Sequence, residues 1–374
     1  MTREEQCEMI NEAIENIDFE GTYLDHVPYG SGHINDTYLI RFQGEKGSIK
    51  RYILQRMNHE TFKNPEQLME NVAGVTKFLR RKIEQKHGDV NRETLNIIPT
   101  KTGQNLYRDS VGSYWRGYLF IENADCYDSV KSPDDFYQSA VAFGNFQYQL
   151  ADYPAYTLHE TIFNFHNTPV RLQNLKNAIE ADRMGRVKEV SAEIRFALER
   201  EEFTKVLMEL YAQGKLPLKV THNDTKLNNV MIDHETKKGL CVIDLDTVMP
   251  GFSVNDFGDS IRFGASTGAE DETDLSKVNF DLELYKIYTK GFLEGCKGSL
   301  TDMELAMLPT GAKMMTLECG LRFLTDYLEG DTYFKIHREK HNLDRCRTQF
   351  KLVADMEQNW DAMTEVINQA KSQE

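Results

Sequence analysis

Several features that would place this sequence in a special class are missing. Six of the 374 residues are cysteines, and none of them forms a Cys-x-x-Cys pair. Neither a structural zinc site nor a disulfide framework is therefore expected, and the pattern favours reduced thiols in a cytoplasmic protein. No apolar run reaches the ~18 residues that a membrane-spanning helix needs. The N-terminal stretch is amphipathic and acidic, which a signal peptide is not.

Basic residues are also scarce. Lysine and arginine number 44 against 59 acidic residues, which gives a formal net charge of −15. A nucleic acid or an anionic membrane is therefore not expected as the main partner. The composition, 40% hydrophobic and 28% charged, is that of a globular protein, and 374 residues suffice for two lobes. These numbers leave the oligomeric state open, and a monomer or small homo-oligomer is expected.

The most informative stretch runs from residue 220 to residue 262. Two short apolar runs, 230–232 and 240–243, flank turn residues that end in Gly239, which tolerates a positive φ. This pattern predicts a β-hairpin. Asp224 and Asn229 precede its first strand and Asp244 follows its second, so the hairpin is expected to bring the three side chains to one end.

These three residues have the types and the spacing that phosphoryl transfer to an alcohol requires. His222-Asn-Asp224, with Asn229 five residues after Asp224 and Asp244 at the end of a strand, matches the kinase pattern H-x-D-x-x-x-x-N. Asp224 is the predicted catalytic base, and Asn229 and Asp244 are the predicted ligands of Mg²⁺ beside the nucleotide phosphates. The alternative is a polar loop that only makes Asx turns, and the completeness of the motif argues against it. His222 is expected to be structural, and Asp246 is left to bind a second metal, a water or nothing.

A Gly-rich turn lies upstream, between two strand patterns. Gly30, Ser31 and Gly32 would let the backbone approach the phosphates of ATP, although a plain hairpin turn fits the local sequence nearly as well. The second of the following strands carries Gln55 where protein kinases have a phosphate-binding lysine. Gln55 is assigned to the nucleotide site as a neutral donor, and the source of the missing positive charge stays open.

The architecture is predicted to change near residue 123. A helix is predicted over 65–86, where Glu70 is more readily a solvated surface charge than an ion-pairing acid. Residues 120–124 have the place of a hinge, where backbone groups of Glu122 and Ala124 would meet adenine. The fold class is α+β, with a small antiparallel-sheet lobe over 1–123 and a larger, mostly helical lobe over 124–374 that contains the hairpin. Helices are predicted at 133–150, 169–182, 191–213, 276–294, 301–328 and 342–370.

Two further segments have predicted roles around this site. Asp256, near the start of a helix, is expected to hold the backbone of the loop that carries Asp224. The segment 163–169 is either a loop that lines an acceptor pocket or a buried turn, and the sequence does not separate the two.

Five segments resemble a known family. They are YGSGHINDTY, THNDTKLNN, VIDLDTVMPG, DFGDSIRFGAST and ECGLRFLTDYLEGD. They resemble the N-acetylhexosamine 1-kinases of the aminoglycoside phosphotransferase and choline kinase superfamily, and the likeness covers nearly the whole chain. The resemblance implies a bilobal protein-kinase-like fold, ATP and Mg²⁺ as cofactors, and phosphorylation of O1 of GlcNAc or GalNAc, with the sugar and the nucleotide as partners. The family also has glutamine at the position of Gln55, so this residue does not imply inactivity.

The resemblance also implies an acceptor site. Its candidate residues are His33, Phe263, Arg322 and Tyr333, with Asp224 at O1 of the sugar. Spacing alone favours a different role for Arg322, because Asp326 lies four residues later in the same predicted helix. Such a pair is ordinarily a helix salt bridge that contributes ~0.2–0.5 kcal/mol.

Two other functions remain open at this point. One is a kinase for another small alcohol, such as choline, homoserine or an aminoglycoside, and the net charge of −15 would suit a polycationic aminoglycoside. The other is a silent nucleotide-binding pseudokinase, for which Gln55 is the only support.

Overall fold

The computed structural model describes residues 3–30, 34–127, 129–130 and 132–371. The chain forms two compact units. The first comprises Met1–Asp125, Thr157–Ile162 and Met231–Met249, and the second comprises Cys126–Tyr156, Phe163–Val230 and Pro250–Glu374.

Strands dominate the first unit and helices the second. The strands are β1 (Thr22–Pro28), β2 (Asp36–Gln43), β3 (Ile49–Met57), β4 (Ile97–Ile98), β5 (Tyr107–Arg108), β6 (Tyr114–Leu119), β7 (Ala124–Asp125), β8 (Lys219–Thr221), β9 (Val230–Asp233), β10 (Gly239–Val242) and β11 (Met249–Gly251). The helices are α1 (Arg3–Asn16), α2 (Pro65–Gln85), α3 (Pro133–Gln149), α4 (Thr168–Ala181), α5 (Ser191–Leu198), α6 (Glu201–Ala212), α7 (Ser253–Gly264), α8 (Leu282–Cys296), α9 (Asp302–Glu329), α10 (His341–Gln358) and α11 (Trp360–Lys371).

An antiparallel sheet forms the body of the first unit. Its strand order is β1-β2-β3-β6-β4, and β5 pairs with β6. The register of β2 and β3 places Ile40 opposite Tyr52, and both lie in an apolar core with Ile10 and Ala13 of α1. The α+β class predicted from the sequence is confirmed in this arrangement, and the buried residues of α1 share the core of the sheet.

The predicted hairpin is present. Strands β10, β9 and β7 form a three-stranded sheet in that order. The turn between β9 and β10 differs from the prediction in one detail. Lys237 rather than Gly239 adopts the positive φ, which is 59°. The Asp233 carbonyl accepts the Lys237 amide at 3.0 Å, and this bond closes the turn two residues before β10 begins.

Helix termini in the second unit follow their capping signals. Ser132 caps α3 and Thr301 caps α9, each in a capping box with the acidic residue three positions later. Two predicted helices are wrong in length, since 191–213 divides into α5 and α6 and 342–370 into α10 and α11. At the first break Arg200 leaves helical geometry (φ −107°, ψ 15°). Its side chain pairs with Glu357 at 2.7 Å, so a tertiary contact interrupts a continuous helical pattern.

Helix α7 packs closely against α9. A Cβ added at Gly258 would lie 2.2 Å from the carbonyl oxygen of Gly311, so only glycine permits this approach. Helix α7 also carries Asp256 and Asp259, whose contacts are described below. In the part of the chain that the structure describes, no helix is both long and apolar enough to cross a membrane.

Candidate active site

The loop that follows β8 in the second unit carries the predicted base. Asp256 of α7 accepts hydrogen bonds from the backbone N–H groups of His222 and Asn223, each at 2.8 Å, and from Nε2 of Gln147 at 2.7 Å. The role predicted for Asp256 is confirmed by these contacts. Burial raises the pKa of Asp256, and the hydrogen bonds and His222 oppose that effect.

His222 is a structural residue, as expected. Its ring is fully buried between Phe143 and Phe146, with ring centroids 5.4 and 5.9 Å away. Its Nδ1 accepts the backbone N–H of Asp224 at 3.3 Å. The ring therefore packs in the core and stabilises the loop, and it does not face solvent.

A second aspartate of α7 holds the same loop one turn later. Asp259 accepts the backbone N–H of Thr225 at 3.0 Å and Nε of Arg262 at 2.9 Å. Burial acts to raise the pKa of Asp259, but Arg262 and Lys226 outweigh it and hold the pKa below its usual range. The Asp259 carboxylate is therefore ionised at neutral pH and anchors the residue next to Asp224.

Asp224 is held by two side chains of its own loop. Nδ2 of Asn229 donates to the Asp224 carbonyl at 2.8 Å and to its carboxylate at 3.2 Å. Nζ of Lys226 lies 2.7 Å from the other carboxylate oxygen. The structure thus brings together Asp224 and Asn229, as predicted, and adds Lys226.

Sequence reasoning missed Lys226. The available signal was its position two residues after Asp224 in a loop that must handle phosphate. Burial acts to lower the pKa of Lys226, but the Asp224 carboxylate outweighs it and raises the pKa above its ordinary value. Lys226 is therefore a fixed positive charge beside the predicted base.

The other predicted metal ligand belongs to the first unit. Asp244 follows β10, is exposed, and has a left-handed backbone (φ 59°, ψ 58°). Because β10 ends at Val242, Asp244 and Asp246 lie beyond the strand, and strand alternation does not apply to them. Asp246 is instead buried, with one oxygen 2.5 Å from Nη1 of Arg116 and the other accepting Nδ2 of Asn35 at 2.7 Å.

Gln55 also has both ends of its amide engaged. Its Nε2 donates to Oγ1 of Thr37 at 3.0 Å, and its Oε1 accepts Nε of Arg116 at 3.0 Å. Arg116 stands directly opposite Gln55 on β6 and is 2% exposed. Burial acts to lower the pKa of Arg116, but the Asp246 carboxylate outweighs it, so the guanidinium stays charged.

The remaining nucleotide-site predictions fall at the ends of strands. Gly30 has a positive φ of 81° with open space where a Cβ would lie, whereas Ser31, Gly32 and His33 lie outside the described residues. The Glu122 carbonyl accepts Nε of Arg92 at 3.1 Å, and its carboxylate pairs with Arg51. Ala124 begins β7, opposite Asp233 of β9. Glu70 is a surface residue that pairs with His159 at 2.6 Å, so it has the solvated role that was favoured for it.

Two of the acceptor-site predictions, Arg322 and Tyr333, meet in the second unit. The Arg322 guanidinium lies 5.8 Å from the ring centroid of Tyr333, 5.4 Å from that of Phe334 and 5.3 Å from that of Phe165. Among the described residues it makes no ion pair. The salt bridge to Asp326 that spacing favours is absent, because the Asp326 carboxylate accepts the backbone N–H groups of the turn 332–334 and an amide proton of Asn342.

Phe165 comes from the segment whose role the sequence left open. His166 Nδ1 and Thr168 Oγ1 both contact the fully buried Glu318 carboxylate of α9, at 2.8 and 2.6 Å. Burial acts to raise the pKa of Glu318, but His166 outweighs it and the pKa lies below its ordinary value. These bonds fix the segment, so that Phe165 covers Arg322. Phe263, also predicted, is half-buried on α7 next to Arg262.

Both predicted metal ligands, Asn229 and Asp244, carry oxygen donors of the kind that Mg²⁺ prefers. No cluster of three His, Cys, Asp or Glu side chains suited to a metal occurs within the described ranges. A nucleotide-bound Mg²⁺ does not need one, because one or two protein oxygens suffice when phosphates and waters complete its shell. Nδ2 of Asn229 donates to Asp224 in the second unit, and Asp244 is an exposed residue of the first.

Comparison with solved structures identifies the fold as protein-kinase-like. An aminopropanol kinase associated with a microcompartment matches with a TM-score of 0.64 at 15% identity, over 96% of this chain and 98% of that one. An amicoumacin kinase in complex with AMP-PNP, Ca²⁺ and Ami matches with a TM-score of 0.57 at 13% identity, over 95% and 96%. The choline kinase of Cryptosporidium parvum matches with a TM-score of 0.53 at 13% identity, over 98% of this chain and 99% of that one.

Sequence comparison goes further than the fold. The model of the phosphotransferase enzyme family (APH) matches residues 25–285, a range that holds the Gly-rich turn, Asp224, Asn229 and Asp244. The match spans well over half of the 374 residues. The chain therefore belongs to the phosphotransferase enzyme family and is a kinase of that family.

Proposed function

We propose that the protein transfers the γ-phosphoryl group of ATP to the anomeric O1 hydroxyl of an N-acetylhexosamine, GlcNAc or GalNAc, and releases the sugar 1-phosphate and ADP. The observation that carries the acceptor class is the Arg322 guanidinium, which has no carboxylate partner among the described residues and is framed by aromatic rings. The sugar itself is supported by the resemblance of the segments around residues 222, 244, 256 and 322.

The reaction needs one proton acceptor and a fixed positive charge. The O1–H proton moves to the Asp224 carboxylate as O1 bonds to the γ-phosphorus, and the bond from that phosphorus to the bridging oxygen of ADP breaks. Because the transition state is loose, orientation of O1 and neutralisation of phosphoryl charge contribute more than basicity. Asn229 fixes the Asp224 carboxylate, and Lys226, 2.7 Å from that carboxylate, supplies a point charge suited to phosphate.

Mg²⁺ is proposed as the cofactor, with the oxygens of Asn229 and Asp244 as ligands. When bound, the ion neutralises the phosphates that the nucleotide brings. The proposed nucleotide contacts lie within residues 1–123 and at Ala124. They are the Gly-rich turn Gly30, Ser31 and Gly32, the hinge residues Glu122 and Ala124, and Gln55, whose part is indirect because both ends of its amide are already bonded.

A neutral acceptor suits the charges around Arg322 better than a cationic one. Arg171 donates to the Phe165 carbonyl at 2.7 and 3.1 Å, and burial, together with the charge of Arg322, lowers the pKa of Arg171. Two guanidinium groups within electrostatic range would repel choline or an aminoglycoside, whereas a sugar offers hydroxyl and amide oxygens to them. The apolar face of a pyranose would lie on a ring such as Tyr333, which is 65% exposed. His33 and Phe263 complete the proposed acceptor contacts.

The test is ³¹P NMR of the product formed from GlcNAc, ATP and MgCl₂, with Asp224→Asn as the control. We expect a phosphomonoester signal coupled to the anomeric proton, and a loss of roughly 10²–10⁴ in kcat in the variant. The same assay run with choline, homoserine and kanamycin in place of GlcNAc tests the acceptor class. A sugar 6-phosphate, or turnover of a cationic acceptor with none of GlcNAc or GalNAc, would refute the assignment. Binding of ATP without turnover of any acceptor would instead indicate a pseudokinase.

A further inference from the structure

We propose that Arg116 is a positioning residue that supplies, from β6, the positive charge that β3 lacks at Gln55, and that it acts through Asp246 to fix the loop of Asp244 for a divalent cation. This inference rests on the proposed use of a nucleotide and Mg²⁺, and it concerns residues of the first unit alone.

The strand register places Arg116 and Gln55 on the same face of the sheet. They are direct partners across β3 and β6, and cross-strand partners of an antiparallel pair project to the same side. The amide oxygen of Gln55 accepts a hydrogen bond from Nε of Arg116, and its amide nitrogen donates one to Oγ1 of Thr37. It therefore orients the guanidinium and has no charge of its own to offer.

The acid that pairs with this cation comes from the loop after β10. Helix α2 presents to Arg116 the sulfur of Met69, 3.6 Å from Nη1, and not a carboxylate. The carboxylate is that of Asp246, 2.5 Å from Nη1 and only two residues beyond Asp244. The guanidinium is thus tied to the segment 244–246 through the Asp246 carboxylate.

A third segment joins the same carboxylate. Asn35, just before β2 and just after the Gly-rich turn, donates Nδ2 to Asp246 at 2.7 Å and accepts the backbone N–H of Asn58 at 2.9 Å. Asp246 therefore connects three segments: its own loop, which carries Asp244; β6, through Arg116; and the segment after the Gly-rich turn, through Asn35. Displacing Asp246 would alter the placement of both nucleotide-binding segments together.

Stability alone does not account for this pair. Arg116 and Asp246 are 2% and 4% exposed, and a buried ion pair is often no more stabilising than apolar residues of similar volume. Leaving one charge without the other is costly. Replacing both at once therefore separates a structural contribution from a positioning one.

The experiment compares Arg116→Lys, Arg116→Met and the double variant Arg116→Met with Asp246→Leu against the wild type. The thermal midpoint is measured, and titration calorimetry gives the affinity for AMP-PNP with Mg²⁺ and with EDTA. The matched control is the double variant Arg41→Met with Asp25→Leu, which removes an exposed ion pair between β2 and β1 in the same sheet.

The double variant at 116 and 246 is expected to fold, with a midpoint near that of the wild type. Its affinity for AMP-PNP with Mg²⁺ should fall about 10–100-fold, the usual effect of losing a residue that orients a metal ligand, while its affinity in EDTA changes much less. Arg116→Lys keeps the charge and should recover part of the loss. The control should bind as the wild type does.

Two results would overturn the proposal. One is a folded double variant that binds AMP-PNP with Mg²⁺ as tightly as the wild type, and the other is an equal loss with Mg²⁺ and with EDTA. If the wild type itself failed to bind AMP-PNP with Mg²⁺, the proposed function would fail first. The two failures are therefore distinguishable, and neither depends on knowing the sugar.

Discussion

Replacing Asp256 by asparagine tests how the loop that carries Asp224 is held. The Asp256 carboxylate accepts three hydrogen bonds, from the backbone N–H groups of His222 and Asn223 and from Nε2 of Gln147. An asparagine has one oxygen, so its NH₂ group must face at least one of these donors. Gln147 can turn to offer Oε1, which has no partner in the structure, but a backbone N–H cannot. One of the two loop amides therefore loses its acceptor in either orientation of the new side chain.

The cost follows from that loss. A buried donor left without an acceptor costs about 1–3 kcal/mol. A neutral amide avoids part of the desolvation that raises the pKa of Asp256, so the lower half of that range is expected. A loss of about 1–2 kcal/mol corresponds to a decrease of roughly 2–8 °C in the unfolding midpoint. The loop amide would also relax away from α7, and a displacement of about 1 Å at Asp224 costs up to ~10²-fold in rate.

The assay has two parts. Calorimetry measures the midpoint of Asp256→Asn against the wild type and against Asp18→Asn, an exposed aspartate of the first unit. Steady-state kinetics in an ADP-release assay measure kcat and KM for the acceptor. We expect kcat to fall about 10–100-fold with a smaller change in KM, and the Asp18 variant to shift the free energy of unfolding by less than about 0.5 kcal/mol. An Asp256→Asn enzyme with wild-type midpoint and kcat would refute the reasoning, because the loop would then hold its position without the carboxylate.

Two further predictions concern charges in the second unit. Lys226→Met should lower kcat by roughly 10²–10³ with little change in the acceptor KM, since it removes a cation placed for the transferred phosphoryl group; Lys205→Met, in a surface pair, is the control, and an unchanged kcat in Lys226→Met would contradict this role. Glu318→Gln should lose about 1–3 kcal/mol at neutral pH. Because the folded pKa of Glu318 is depressed, its contribution is complete above the unfolded value of 4.5 and is lost as pH falls through the folded pKa, so urea denaturation should show the wild type and the variant converging below pH 4.5. A difference that grows on acidification would show the opposite sign and exclude the explanation.

Local signals carried the sequence-based predictions furthest. The strands that flank the hairpin turn depend on neighbouring residues, and they occur where the sequence predicts them. The helix breaks near residues 200 and 359 were missed because hydrophobic periodicity continues through both. At the first, an ion pair 157 residues away in sequence holds Arg200 out of helical geometry. A signal of that range is absent from any local window.

Arg322 shows how a local rule fails for a physical reason. Its neighbour Asp326 has the right spacing for a helix salt bridge, worth ~0.2–0.5 kcal/mol. Three backbone N–H groups of the turn after α9 and an amide proton of the buried Asn342 donate to the same carboxylate, so both of its oxygens are already engaged. The Asp326 carboxylate is therefore bonded to the turn, and the Arg322 guanidinium contacts aromatic rings instead. The sequence contains the turn, but not the fact that it folds back on the helix.

The two units solve the same problem in the same way. In the first, Asp246 lies two residues after Asp244 and is buried against Arg116. In the second, Asp259 is buried against Arg262 and accepts the backbone N–H of Thr225, the residue next to Asp224. A reactive carboxylate must stay exposed to its ligands, so it cannot be fixed by its own burial. A neighbouring carboxylate that is buried against an arginine can be fixed, and the backbone between them transmits the constraint over one or two residues. The motif therefore predicts the reactive aspartates, while the residues that we propose to position them lie on a strand and a helix that local sequence does not connect to it.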